Sequence, residues 1–224
     1  MGDSVMNWII SATICWTATF LLIRRIFPRR SFDFSNRLVS TIHASLAVCL
    51  ASLSVQGWRC PVCPQASESS PLQMKTLVVT LSYLIYDLIC CLFHKQVNLE
   101  DVFHHTISIV GIGAGLAYQK SASELVAALW VSEISSPLLH VRKLLKELGY
   151  RDTDLNFVAD ISFALVFTFG RMIAGPYVTF ETWMADNPLL IKIMAMGLQL
   201  VSTFWFYKIV RMARYKLAKR MKSK

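Results

Sequence analysis

Seven stretches of this sequence are each long and apolar enough to cross the hydrocarbon core of a bilayer. They run at about Met6–Phe27, Leu38–Trp58, Met74–Phe93, Val102–Tyr118, Leu125–Leu145, Phe157–Phe180 and Leu189–Val210. A spanning helix takes roughly 20 such residues. Each block is apolar nearly all round, whereas a surface helix of a soluble domain carries one apolar stripe. Within lipid every backbone N–H and C=O must be paired inside its own element, so helices are the expected form. The alternating pattern of barrel strands is not found. The expected fold is an all-α polytopic bundle of about seven transmembrane helices. The first block has no positive flank before it and no small-residue cleavage site after it. It reads as a retained span rather than a signal peptide.

The net charge is +9, which in a soluble chain would point to nucleic acid. The placement of the charges gives a different reading, and no nucleic-acid partner is expected. With the N-terminus in the lumen, the cytosolic side receives Arg24, Arg25, Arg29, Arg30 and Arg37 near the first turn, and Lys95 later. It also receives Arg142, Lys143, Lys146, Arg151 and all the basic residues from Lys208 onward. The lumenal side receives only Arg59, Lys75 and Lys120, while Arg171 and Lys192 fall inside spans. Eighteen of the 23 basic residues thus share one side, as the positive-inside rule requires. An odd number of spans, a lumenal N-terminus and a cytosolic C-terminus follow.

Between the spans there is no soluble domain and no internal repeat. The loop at about Arg59–Gln73, rich in Pro, Ser and Cys, reads as irregular. Its Cys60 and Cys63 are at most half a zinc site, and no second pair follows. A disulfide or two free thiols are both compatible with them. No metal is expected. The basic helix extension from Arg211 is expected to lie against anionic headgroups.

Ionisable groups within spans are costly, at roughly 2.5–3.5 kcal/mol on insertion scales, and so carry the information. They are His43, Asp87, His104, His105, Glu133, His140, Asp160 and Arg171. Helical spacing puts Tyr83 with Asp87 and Glu100 with His104, each four apart. Glu133 and His140 lie seven apart, Asp160 and Arg171 eleven apart, and both spacings return to nearly the same face. Most of the set falls in the cytosolic half. Helices that turn polar groups inward there describe a cavity open to the cytosol with apolar walls beyond, suited to an amphiphile. Glu133 and Arg171 read either as a structural ion pair or as part of the site. Adjacent His104 and His105 suggest acid–base or nucleophilic chemistry.

The run Leu99-Glu100-Asp101-Val102-Phe103-His104-His105-Thr106 resembles the Glu-x-x-x-His-His segment of the TLC domain family, which includes the ceramide synthases. Ser132-Glu133-Ile134-Ser135-Ser136 sits where those enzymes have His-Asp-x-Ser-Asp. Tyr83-x-x-x-Asp87 and Phe169-Gly170-Arg171 are further points of likeness. The resemblance implies an N-terminal helix (1–28), a TLC domain (29–214) whose six helices form a barrel, and a basic cytosolic tail (215–224). Ser132 and Ser136 depart from the synthase pattern, so the chain looks more like the short TLC-domain-containing proteins.

The resemblance implies a protein that binds, senses or moves a lipid in an intramembrane cavity and contributes to lipid homeostasis. The cavity would be lined by His43, Tyr83, Asp87, Glu100, Ser135, His140 and Arg171. The alternative is an acyltransferase resembling ceramide synthase, with acyl-CoA as substrate and no cofactor. His104 or His105 would then be base or acyl acceptor, Glu100 would orient an imidazole, and Glu133 would assist. The expected partners are membrane lipids, and self-association is compatible with the sequence. The end Arg220-Met221-Lys222-Ser223-Lys224 resembles a dilysine retrieval signal, which implies the endoplasmic reticulum.

Overall fold

The computed structural model describes residues 2–93 and 98–222. Apart from one isolated bridge, Glu68 to Lys120, the described elements are helical. They are α1 (Asp3–Ile26), α2 (Phe32–Ser54), α3 (Pro71–Phe93), α4 (Leu99–Tyr118), α5 (Ala122–Glu133), α6 (Ser136–Glu147), α7 (Asp154–Phe167), a π-helical segment (Thr168–Ala174), α8 (Gly175–Met184) and α9 (Leu189–Lys222). Local chemistry sets several starts. The Ser31 hydroxyl accepts from Phe34 N–H at 2.8 Å, and the side chains of Asn98 and Thr153 cap α4 and α7 in the same way. Pro71 opens α3, where its missing N–H costs nothing.

Among the described residues, five segments are long and apolar enough to cross a membrane: Asp3–Ile26, Phe32–Ser54, Pro71–Phe93, Asp154–Met184 and Leu189–Met221. Helix α4 and the α5–α6 pair supply the other two expected blocks. The fifth block is not one helix. It breaks at Ile134 and Ser135, because Pro137 has no N–H to give and its ring crowds the carbonyl of Glu133.

Six of these units close a ring. Around it, α2 packs on α3, α3 on α4, α4 on α9, α9 on α7 and α8, α7 and α8 on α6 and α5, and α5 and α6 back on α2. Helix α1 stands outside, against α3 and α2. The ring has a basic end, where α2, α4 and α7 begin, and an opposite end closed by the loop between α2 and α3. In that loop Cys60 and Cys63 form a disulfide. Val62 between them is fully buried against Ala127, Val131 and Val178 of α5 and α8. Ala66 N–H donates to the Glu124 carboxylate at 2.6 Å, and Asn187 donates to the same oxygen at 3.0 Å.

The basic tail continues α9 as one helix, as the sequence leads one to expect, and it meets the start of α7 and the loop before it. Lys216 lies 3.4 Å from Asp160, Lys219 lies 3.1 Å from Asp152 and Arg220 lies 2.6 Å from Asp154. Lys219 holds the Asp152 carboxyl below its usual range. Three cations of the tail thus meet acids of the same chain. Lys95 and residues 223–224 of the expected retrieval signal lie outside the described residues.

Candidate functional site

Asp87 on α3 and His105 on α4 meet at the basic half of the ring. Asp87 Oδ2 is 2.8 Å from His105 Nε2, and His105 Nδ1 is 2.5 Å from the backbone carbonyl of Asp101. Both ring nitrogens therefore face oxygens that accept, and each line needs a proton. The second Asp87 oxygen accepts from Asn36 Nδ2 at 2.7 Å. Asn36 Oδ1 in turn accepts from the Tyr86 hydroxyl at 2.7 Å. The chain Tyr86, Asn36, Asp87, His105 spans α2, α3 and α4, and the imidazole itself is held at both nitrogens. Sequence reasoning named Asp87 and His105 separately but missed Asn36 and Tyr86.

This network borders a polar cavity of about 280 Å³, lined among others by Asn36, Tyr83, Asp87, His104, His105, Glu133, His140 and Arg171. Arg37 and Lys143 lie toward its basic end. A second, mostly apolar cavity of about 90 Å³ continues toward the disulfide end between α3, α4, α5, α8 and α9. Leu84, Ile107, Ile112, Leu129, Met194 and Leu198 are among its walls. Among the described residues, Leu84, His104, Glu133 and Arg171 line both cavities. A polar chamber and an apolar one thus adjoin at a layer made of an imidazole, a carboxylate and a guanidinium.

Arg171 owes its position to the π-helical segment. Its Nη2 donates to the Ser132 carbonyl at 2.8 Å and its Nη1 to the Ser202 hydroxyl at 3.3 Å. Phe167 and Trp205 flank the guanidinium at 5.4 and 5.5 Å. Gly170 makes this possible. A Cβ there would stand 2.8 Å from the backbone oxygen of Val131, so the two helices touch at backbone distance. No ion pair within 4 Å joins Arg171 to Glu133, although both face the junction. The structural-pair reading of these two residues therefore has no direct contact behind it.

Several expected site residues lie elsewhere. His43 is buried behind the site, its ring stacked on Tyr83 at 3.6 Å and edged by Trp16 at 5.7 Å, and it lines neither cavity. Ser135 is buried at the α5–α6 break, and its neighbour Ser136 lines the polar cavity in its place. Glu100 does not orient an imidazole. It pairs with Lys208 and accepts from the Trp205 indole at 3.2 Å, and Trp205 lies against His104 at 5.0 Å. The expected shared face of Asp160 and Arg171 is lost, because π-helical winding between them changes the register. Asp160 instead gathers Arg142 at 2.5 Å and Lys146 at 3.1 Å.

Among the described residues, Asp87, Cys91 and His105 bring their ligand atoms within 4.8 Å of one another. The Asp87 and His105 atoms already satisfy each other there, which leaves one thiol beside a completed hydrogen bond.

Comparison with known proteins gives a consistent result. The TLC domain profile matches residues 33–211. The chain is 28% identical over 199 residues to TLC domain-containing protein 4-B of Danio rerio, covering 82% of this chain and 75% of that protein. It is 25% identical over 148 residues to the putative TLC domain-containing protein L438 of Acanthamoeba polyphaga mimivirus, covering 63% of this chain and 73% of that one.

Proposed function

This chain belongs to the TLC domain family, and we propose that it holds a single lipid within its six-helix ring and so contributes to membrane lipid homeostasis. The observation that carries this reading is the pair of adjoining chambers, polar toward the basic end and apolar toward the disulfide end. An amphiphile has that same division. Burial of its chain contributes about 0.8 kcal/mol per CH₂ relative to water, while polar side chains meet its head. In the proposed orientation the basic end faces the cytosol, since the charge asymmetry follows the positive-inside rule. The membrane is proposed to be that of the endoplasmic reticulum. Mass spectrometry of the intact, gently solubilised protein tests the proposal: a defined lipid should co-purify at about one per chain. Recovery of no lipid, or of an unselective mixture matching the bulk membrane, would refute it.

A second reading, acyl transfer from acyl-CoA, is favoured by the positioned Asp87–His105 pair beside His104. In this reading His104, which lines both chambers, is the group that meets the acyl carbon, and His105 is held in place by Asp87 and Asp101. Purified protein offered radiolabelled acyl-CoA with amine and alcohol acceptors decides. No labelled product and no labelled polypeptide would remove this reading and leave the first intact.

A further inference from the structure

Arg171 presents an unfinished hydrogen-bonding shell at the one layer that both chambers share. Its residue is only 5% exposed, and its guanidinium stays charged in any protein environment. Two of its nitrogens are held, by the Ser132 carbonyl and the Ser202 hydroxyl. The third, Nε, is buried with no hydrogen-bond partner. On the same layer, Nδ1 of His104 is also buried and without one. Trp205 touches both side chains and keeps them together. Buried polar groups are satisfied in native structures as a rule, so two orphan nitrogens on side chains that both line the shared layer point to a missing partner.

We infer that Arg171 and His104 form a receptor for the carboxyl oxygen at the head of an acyl chain, either a free fatty carboxylate or the carbonyl of an acyl ester. The inference rests on the lipid-binding reading above and names the chemistry of the ligand. The partner of Nε must be an acceptor, because guanidinium nitrogens only donate. It must sit where an apolar tail continues into the space between Ile107, Ile112, Leu129 and Met194. A planar carboxyl group at the top of a hydrocarbon chain meets both conditions, and its second oxygen or ester oxygen faces the polar chamber. A phosphate head fits less well. It asks for more donors than the two orphan nitrogens at the junction supply, and the cations Arg37 and Lys143 lie toward the other, basic end of the polar chamber.

Competition for bound radiolabelled palmitate on the purified full chain tests this. The competitors are palmitate, monopalmitoylglycerol and hexadecanol, which share a sixteen-carbon chain (roughly the same apolar burial) and differ at the first carbon. Palmitate or monopalmitoylglycerol should compete at least about tenfold better than hexadecanol, the range of a hydrogen bond to a charged group. Preference for the acid alone identifies a free fatty acid as the source, and equal preference for the ester identifies an acyl lipid. Arg171→Gln should erase the margin. Hexadecanol competing as well as the carboxyl compounds on wild type would overturn the receptor and leave lipid binding standing. Failure of palmitate and every competitor to bind would overturn both. The wild-type series decides even if Arg171→Gln does not fold.

Discussion

His105 and Asp87 sit 18 residues apart in sequence and 2.8 Å apart in space, joined across the α3–α4 interface. Each is buried and keeps one further polar partner, Asn36 for Asp87 and the Asp101 carbonyl for His105. Asp87→Asn keeps the shape but weakens the charge-assisted bond to His105, and it should lower the melting temperature clearly. His105→Ala leaves the carboxylate facing a void. Breaking one side of a buried pair costs about 3–5 kcal/mol. The double variant should cost much less than the sum, and additive losses in thermal denaturation would show that the pair is not coupled.

Glu133 should behave differently. It makes no direct ion pair with Arg171, so Glu133→Gln should shift stability by less than about 1 kcal/mol, far below the loss of a buried partner. The bound lipid should change in amount or identity, as read by mass spectrometry of the folded protein. A large stability loss with unchanged lipid would return Glu133 to a packing role.

Gly170 allows the closest backbone approach at the site. A methyl group would meet the Val131 carbonyl at 2.8 Å and cannot rotate away from it. Gly170→Ala should cost about 1–3 kcal/mol by overpacking. Gly175→Ala meets the end of the Gln199 side chain at the same distance, and that end can move. The second variant should melt closer to wild type, and the reverse order would contradict the packing described.

Asp160 is fully buried among Arg142, Lys146 and Lys216. Asp160→Asn leaves three cations with reduced compensation, a loss of about 3 kcal/mol. Limited proteolysis should then cut the end of α9 sooner, since the tail has lost one of its anchors. An unchanged cleavage pattern would show that the outer pairs, Lys219–Asp152 and Arg220–Asp154, hold the tail alone.

Orientation is open to a direct test. A glycosylation acceptor placed between Gln65 and Ser70 should be modified, and one appended after the tail should not. Modification at the tail would invert the proposed topology.

The span pattern was legible in the sequence because hydropathy is a local property. The blocks and helices agree to within a few residues at most ends, and the six-helix ring follows the family resemblance. The site was only half legible. Glu100 was given the role of orienting an imidazole because it stands one turn before His104, a same-helix argument. The oriented imidazole is that of His105 and its partner is Asp87 on the neighbouring helix, and the phase between two helices is set by packing that no single segment encodes. Asn36 escaped notice because it lies just before the second apolar block, where polar residues are ordinary. A polar residue close to a span start, one turn from buried Ser40, was the available signal. His43 looked like a cavity residue by depth alone, but its stacking on Tyr83 turns it toward α1.

The π-helical segment acts as a local aiming device for the side chains inside it. A π turn closes i→i+5 rather than i→i+4 and so holds one residue more, so deleting one residue between Thr168 and Ala174 would let ordinary winding resume with the flanking helices nearly in phase, and Arg171 inside the segment would turn away. The length would change by only about 1.5 Å, too little to affect the crossing of a bilayer. Insertions and deletions here should therefore be invisible to membrane thickness yet decisive for the direction in which the guanidinium points. A relative that shares the span lengths but lacks that extra residue would keep the barrel and lose the charge at its centre.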